Sequence, residues 1–97
     1  MPTSDMSSKP PWKIVAEHKG TSRRAFQRTD EFKHTGNNEG TQTDSVKVLD
    51  SELNIIFETS MKIEWEYHGF ISVAFSDDGT EIMLRGSDGQ QRTARLV

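Results

Sequence analysis

Residues 61–75 read MKIEWEYHGFISVAF and form the most apolar and aromatic part of the chain. In the first half of this stretch, Met61, Ile63, Trp65 and Tyr67 alternate with charged residues and a histidine. Such alternation puts one set of side chains on a buried face and the other in solvent, as in a half-buried antiparallel strand. We therefore predict a central strand whose inner face carries these four side chains.

The C-terminal third continues the same pattern as a series of short strands. After Gly69, an apolar alternation restarts and runs to residue 75. Two Asp-Gly steps follow, at residues 78–79 and 88–89. Asp-Gly is favoured in tight hairpin turns in which both residues have positive φ. Together these signals predict an antiparallel meander in which residues 81–85 and 90–97 are the later strands.

The N-terminal half is less regular, and its segments carry different signals. Residues 12–18 alternate loosely and predict a first strand. Residues 21–33 predict a short helix with a narrow apolar stripe, although an irregular segment or a strand pair is nearly as consistent with them. Residues 34–45, rich in Gly, Asn and Thr, predict an exposed loop.

Two further strands are predicted before the central one. Residues 45–50 place Val46 and Val48 on one face. Residues 53–58 fit either a strand or one face of a helix, and the adjacent β-branched Ile55 and Ile56 favour the strand.

The resulting prediction is an α+β fold in a single small domain. It contains an antiparallel meander of about five to six strands and at most one or two short helices. With 97 residues, the chain is long enough for one core but not for two. Residues 1–11, rich in Ser and Pro, predict a flexible arm, and residues 12–97 the domain. The chain has no cysteine, no apolar run long enough to span a membrane and no signal-type segment, so we expect a cytoplasmic protein.

The net charge of -3 is unevenly distributed along the chain. Residues 1–29 carry six basic and two acidic side chains, whereas residues 30–88 carry four basic and thirteen acidic ones. The acidic part contains the clearest strand signals. Charge asymmetry of this size bears on association with other molecules rather than on fold.

No pattern in the sequence predicts catalysis or a bound cofactor. His18, His34 and His68 lack the spacing of paired metal ligands, and neither a nucleophile elbow nor a phosphate-binding glycine loop is present. The Asp77-Asp78-Gly79 step is explained by a turn and lacks the spacing of a calcium loop. We therefore expect a protein that is not an enzyme and has no metal or cofactor.

The acidic side chains predict a protein partner with a basic surface. Glu64 and Glu66 on one face of a strand would lie about 7 Å apart, two rises of a strand. Rows of such carboxylates could imitate the phosphates of a nucleic acid. The expected function is that of a small inhibitor or regulator of a nucleic-acid-handling protein, with the exposed loop 36–44 contributing to the contact. The predicted partner-binding residues are Glu58, Glu64, Glu66, Asp77, Asp78 and Glu81.

Two other functions are consistent with the sequence. Arg23, Arg24 and Arg28 form the main basic cluster and could contact phosphates, which would make the chain a small nucleic-acid-binding protein. The chain could instead be a structural or assembly protein with no ligand besides itself or a larger particle. Solubility alone is a further explanation of the acidic surface.

Overall fold

The structure, a computed structural model, describes residues 11–96. The strands of this part of the chain form two antiparallel sheets. One sheet has four strands in the order β1-β2-β3-β4, and the other has three in the order β5-β6-β7. Residues 11–96 contain no helix. The strands are β1 (Lys13–His18), β2 (Arg23–His34), β3 (Glu39–Leu49), β4 (Ile55–Glu66), β5 (Ile71–Phe75), β6 (Glu81–Gly86) and β7 (Gln91–Arg95).

The fold is therefore a single small domain of antiparallel β-strands. Antiparallel pairing of consecutive strands is confirmed within each sheet, but the strands form two sheets rather than one meander, because β4 and β5 do not pair. The α+β class was wrong, and the strand number of five to six was too low. The predicted arm of residues 1–11 lies outside the described residues except for Pro11, which is exposed.

The predicted helix at residues 21–33 was wrong, because this segment is β2. It pairs with β3 from Arg24 opposite Leu49 to His34 opposite Gly40. The register shifts between Thr29 and Glu31, which is a β-bulge. A bulge inserts one residue and reverses the alternation of faces beyond it. The apolar residues of β2 consequently fall out of step with a period of two and imitate a helical stripe.

The predicted exposed loop at residues 34–45 was also wrong over most of its length. Residues 35–38 join β2 to β3, and β3 begins at Glu39. Its inner face alternates strictly, but the first three inward residues are Gly40, Gln42 and Asp44 rather than apolar ones. A strand whose buried side chains are polar resembles a loop in the sequence.

The strand prediction for residues 53–58 is confirmed from Ile55 onward, where β4 begins. Leu53 and Asn54 belong to the turn between β3 and β4.

The core lies between the inner faces of the two sheets. It contains Ala25 of β2, two valines of β3, two residues of β4, three of β5 and β6, and one after β7: Ala25, Val46, Val48, Met61, Ile63, Ile71, Ile82, Leu84 and Leu96. Six larger side chains in this group are essentially inaccessible to solvent. Each sheet thus contributes one alternating face to the same apolar layer.

A buried polar cluster interrupts this layer. Asp44 is 3% exposed and accepts hydrogen bonds from the side-chain amides of Gln27 (2.6 Å) and Gln42 (3.0 Å). The Gln27 amide also donates to the carbonyl of Ile71 in the other sheet (3.0 Å). Each carboxylate oxygen of Asp44 therefore has a donor, and the cluster links the two sheets.

Side chains of the β6–β7 hairpin cover the free edge of β4. These side chains bond the outward backbone groups of β4 that would otherwise pair with a fifth strand. The bonded residues recur at every second position, both in β4 and in the hairpin. The hydrogen bonds are Glu64 N–H to Asp88 Oδ2 (3.2 Å), Gln90 Nε2 to Lys62 O (2.7 Å), and Arg92 Nη1 to Ser60 O (2.9 Å).

At the opposite edge of the four-stranded sheet, two side chains hold the β5–β6 turn. His18 Nε2 donates to the carbonyl of Asp77 (2.7 Å), and Arg23 Nη1 donates to the carbonyl of Gly79 (2.7 Å). Side-chain hydrogen bonds therefore link the two sheets along both edges of the sandwich.

The two Asp-Gly steps form hairpin turns, but with another geometry from the one predicted. Gly79 and Gly89 have φ of 74° and 95°, whereas the preceding aspartates are not in the positive-φ region. In each turn the glycine N–H donates to a carbonyl three residues earlier, Ser76 and Gly86 respectively. The aspartates act as caps instead.

Asp78 should make the free energy of unfolding decrease at acid pH. Hydrogen bonds from the Thr80 hydroxyl, the Thr80 N–H and the Ser76 hydroxyl lower its pKa from 3.8 to about 2. The folded chain thus releases this proton more readily than the unfolded chain, so the stabilisation is present above about pH 4 and is lost as the pH falls through about 2. We expect urea midpoints to fall over this range.

The variant Asp78→Asn isolates this contribution, because its amide cannot titrate. Asp50 and Asp88 also have lowered pKa values, caused mainly by hydrogen bonds from Asn54 and from Gln90 respectively. Both aspartates are present in the wild type and in the variant, so they contribute equally to the acid dependence of each. We expect a smaller acid-dependent decrease in the variant. An equal decrease in both would contradict the role of Asp78.

Candidate functional site

The six carboxylates predicted to bind a partner fall into two separate groups. Glu58, Glu64 and Glu66 lie exposed on the outer face of β4. Asp77 and Asp78 lie in the β5–β6 turn, which is held by the other edge of the four-stranded sheet, and Glu81 begins β6. The strands thus do not bring all six side chains to one surface.

A cleft of about 690 Å³ lies beside the C-terminal end of β4. Four carboxylates line it, two from β4, one from the start of β3 and one from the β6–β7 turn: Glu64, Glu66, Glu39 and Asp88. We call these four residues and the space between them the acidic cleft. Its remaining lining residues are Thr35, Gly40, Thr41, Trp65, His68 and Ser87.

The backbone register explains why three of these carboxylates meet. Glu39 lies directly opposite Glu66 in the β3–β4 pair, and Glu64 lies opposite Thr41. Residues directly opposite in an antiparallel pair have Cβ atoms about 4.5–5.5 Å apart. Like charges at this distance repel each other, so a cation between them would be stabilised.

The fourth carboxylate, Asp88, reaches the cleft from the other sheet. Its pKa is lowered mainly by the hydrogen bond from the Gln90 amide, with the N–H groups of Gln90 and Glu64 adding to the effect. Asp88 therefore stays ionised at neutral pH while it holds the edge of β4.

Trp65 forms the inner wall of this region and is 6% exposed. It packs against two glycines, since a Cβ on Gly40 would lie 2.5 Å from the indole and one on Gly69 would lie 2.5 Å from its Cβ. Phe32 stacks on the indole at 5.0 Å and His34 meets it edge-on at 5.1 Å. The indole Nε1 is buried and has no hydrogen-bond partner.

Tyr67 does not lie on the inner face, which corrects the prediction for the last of the four alternating residues. β4 ends at Glu66, and Tyr67 has φ of 69° and is 74% exposed. Its N–H donates to the carbonyl of Asn38 in the β2–β3 turn, which draws the backbone out of the strand. The other three, Met61, Ile63 and Trp65, are buried as predicted.

The three arginines of the alternative nucleic-acid site each contact a group of the chain itself. Arg23 donates to the Gly79 carbonyl, Arg24 pairs with Glu17 at 3.1 Å, and Arg28 pairs with Asp30 at 2.9 Å. Arg28 also lies 4.4 Å from the ring centre of Trp12. Arg24 and Arg28 share the outer face of β2, whereas Arg23 reaches toward the second sheet.

Among residues 11–96 there is no group of three or more His, Cys, Asp or Glu side chains arranged to hold a metal ion. Nor does this part of the chain contain a helix that could span a membrane.

Comparisons with known proteins give no match: no protein-family model, curated protein or solved structure is similar to this chain.

Proposed function

We propose that the chain is a non-enzymatic protein-binding domain that engages a basic partner at the acidic cleft. The observation that carries this proposal is the position of four carboxylates around one cleft, next to a tyrosine that is 74% exposed. A basic side chain placed among Glu39, Glu64 and Glu66 would relieve their mutual repulsion. The field of the cleft would also steer a basic surface toward this end of the molecule.

Tyr67 supplies the apolar part of such a contact. Tyrosine is enriched at the centres of protein interfaces because it offers a large surface with few rotatable bonds. A non-glycine residue in the left-handed region costs about 1–2 kcal/mol, and such strain concentrates at functional positions. The backbone strain at Tyr67 is therefore consistent with selection for exposure of its ring.

The chemistry of a nucleic-acid-handling protein fits this cleft best among basic partners. Glu64 and Glu66 lie two residues apart on one face of β4, about 7 Å along the strand, which is close to two phosphate spacings of a nucleic acid strand. A groove built to bind phosphates presents Lys and Arg side chains at comparable intervals. We infer a role as an inhibitor or regulator that occupies such a groove.

Charge reversal in the cleft should abolish binding of a basic probe. We expect an oligoarginine peptide to bind the wild-type chain and to bind the double variant Glu64→Lys, Glu66→Lys at least about tenfold more weakly. Isothermal titration at ionic strengths from about 0.05 to 0.5 M should show affinity falling as salt rises.

The matched control is Glu52→Lys with Asp77→Lys, which changes the net charge equally at exposed sites outside the cleft. This control should retain most of the affinity. Equal losses in the two double variants would show a nonspecific charge effect and refute the cleft as the site. Tyr67→Ala should weaken binding about fivefold or more if the ring contacts the peptide.

A further inference from the structure

The edge of β4 that faces away from β3 is covered by side chains and not by a neighbouring strand. β4 is the last strand in the order of its sheet. One outward backbone group at each of residues 60, 62 and 64 bonds a side chain of the β6–β7 hairpin, namely Arg92, Gln90 and Asp88. The edge is therefore closed without a strand ladder.

Half of the outward groups at these three positions have no hydrogen-bond partner within residues 11–96. The N–H and the C=O of one strand residue point to the same side of the strand. The N–H groups of Ser60 and Lys62 and the carbonyl of Glu64 consequently also point away from β3, and nothing in this part of the chain bonds them. The edge thus offers both donors and acceptors to a strand that would pair with it.

The side chains that cover the edge can be displaced at a small cost. All six residues that make the three bonds are exposed, and a hydrogen bond between exposed groups gains little over bonds to water. Two of the covering side chains also have a second acceptor. The Gln90 amide donates to the carboxylate of Asp88 (2.8 Å), and Arg92 donates to the hydroxyl of Thr59 (3.1 Å). Both side chains therefore keep a partner after they leave the edge.

The side chains beside the edge specify which strand would fit it. Glu58, Lys62 and Glu64 are exposed on the outer face of β4, whereas Met61 and Ile63 are buried on its inner face. Residues directly opposite in an antiparallel pair share a face, and opposite charges there stabilise the pair. A strand with cations opposite the two glutamates, an anion opposite the lysine and apolar residues between them would complement this edge.

We propose that the edge of β4 from residue 58 to residue 64 accepts an extended strand of the basic partner, by strand addition to a sheet edge. The pairing is antiparallel, which is the more stable arrangement. The added strand bonds the three open groups of β4 and replaces the three side chains of the hairpin. This inference rests on the proposed function, because Glu64 also lines the acidic cleft and one end of the strand would enter it.

A peptide with blocked ends and the sequence Arg-Val-Glu-Val-Thr-Val-Arg tests the pairing. In antiparallel register it places an arginine opposite Glu58 and another opposite Glu64, and its glutamate opposite Lys62. Two isomers carry two N-methyl groups each, one isomer on its glutamate and threonine, the other on the two valines that flank the glutamate. The first pair of nitrogens points at β4 and the second pair points away from it.

We expect isothermal titration to show binding of the unmethylated peptide and of the valine-methylated isomer. The isomer methylated on glutamate and threonine should bind at least about tenfold more weakly, because it lacks the donors that face β4. The two isomers have the same composition and charge, so a difference between them reports backbone pairing. Equal affinities of the two isomers would overturn strand addition and leave the proposed function standing.

The oligoarginine peptide separates the two proposals further. Binding of oligoarginine without binding of the alternating peptide would refute strand addition alone. Failure of both peptides to bind would refute strand addition and the acidic cleft together.

Amide hydrogen exchange locates the added strand. With the unmethylated peptide bound, the N–H groups of Ser60 and Lys62 should exchange at least about tenfold more slowly, because each gains an acceptor. NMR of the wild-type chain with and without the peptide would measure both rates. Unchanged rates at a saturating peptide concentration would place the peptide elsewhere and overturn the proposal.

The variant Arg92→Ala tests whether the hairpin side chains compete with the strand. Arg95→Ala is its matched control, because both arginines are exposed on β7 and both changes remove one positive charge. Arg92 bonds the Ser60 carbonyl, whereas Arg95 lies opposite Glu81 in the β6–β7 register. We expect Arg92→Ala to bind the unmethylated peptide about threefold more tightly than Arg95→Ala does. Equal affinities would contradict displacement of the hairpin side chains from the edge.

Discussion

Replacing Trp65 with alanine is expected to lower the free energy of unfolding by about 3–5 kcal/mol, the range for large aromatic side chains truncated in a core. The indole is 6% exposed and fills the space between Gly40 and Gly69. Its removal also leaves Phe32 without its stacking partner. Urea denaturation followed by circular dichroism would measure the change, because loss of the tryptophan alters fluorescence.

The control for Trp65 is its neighbour Glu64, which points to solvent on the same strand. Glu64→Ala keeps the backbone N–H that bonds Asp88, so its effect on stability should stay within about 0.5 kcal/mol. Trp65→Ala with a loss below about 1 kcal/mol would mean that the indole contributes little to the packing.

Replacing Asp44 with alanine is expected to destabilise the fold by about 2–4 kcal/mol, because the buried amide of Gln42 and the partly buried amide of Gln27 lose their shared acceptor. Gln27 and Gln42 both donate to this carboxylate. The Gln27 amide has one other acceptor, the Ile71 carbonyl, and the Gln42 amide has no other acceptor in the cluster. The measurement is again a urea titration.

Thr43→Ala is the matched control for Asp44, since Thr43 is adjacent on β3 and faces the other side of the sheet. Its cost should be well below that of Asp44→Ala. A second variant, Asp44→Asn, keeps one acceptor oxygen and should fall between the two. Equal effects of Thr43→Ala and Asp44→Ala would show that the buried cluster contributes nothing beyond strand propensity.

Parts of the fold with regular alternation could be predicted from the sequence. Met61, Ile63 and Trp65 are buried at every second position, and the glycines of both Asp-Gly steps provide the positive φ that the two turns need. In these segments the local pattern and the tertiary environment agree, so periodicity alone identifies the inner face.

β2 and β3 could not be predicted in the same way, for two physical reasons. The bulge after Thr29 moves Phe32 to the inner face and breaks the period. In β3, Gln42 and Asp44 occupy core positions because they satisfy each other and Gln27. Their burial depends on partners 2 to 17 residues away, which no local pattern reveals.

The candidate site was only partly predictable for a similar reason. The alternation identified Glu64 and Glu66 as outward residues, and both line the acidic cleft. Glu39 joins them through the β3–β4 register, and Asp88 through the contact of a hairpin with a strand edge. For Asp88, the sequence contained one signal, its Asp-Gly step. This step indicated a turn but did not indicate which strand the turn would contact.

The side-chain bonds along the two edges of the sandwich imply an order of folding. Each sheet is a run of consecutive hairpins, so its strands pair with near neighbours in sequence. On the β4 side, the bonds between sheets join residues 24 to 32 positions apart, whereas His18 and Arg23 reach partners 59 and 56 positions away. Closing the longer loop has the greater entropic cost and contributes more to the contact order. The β1 side should therefore close last, after the β6–β7 hairpin has docked on β4.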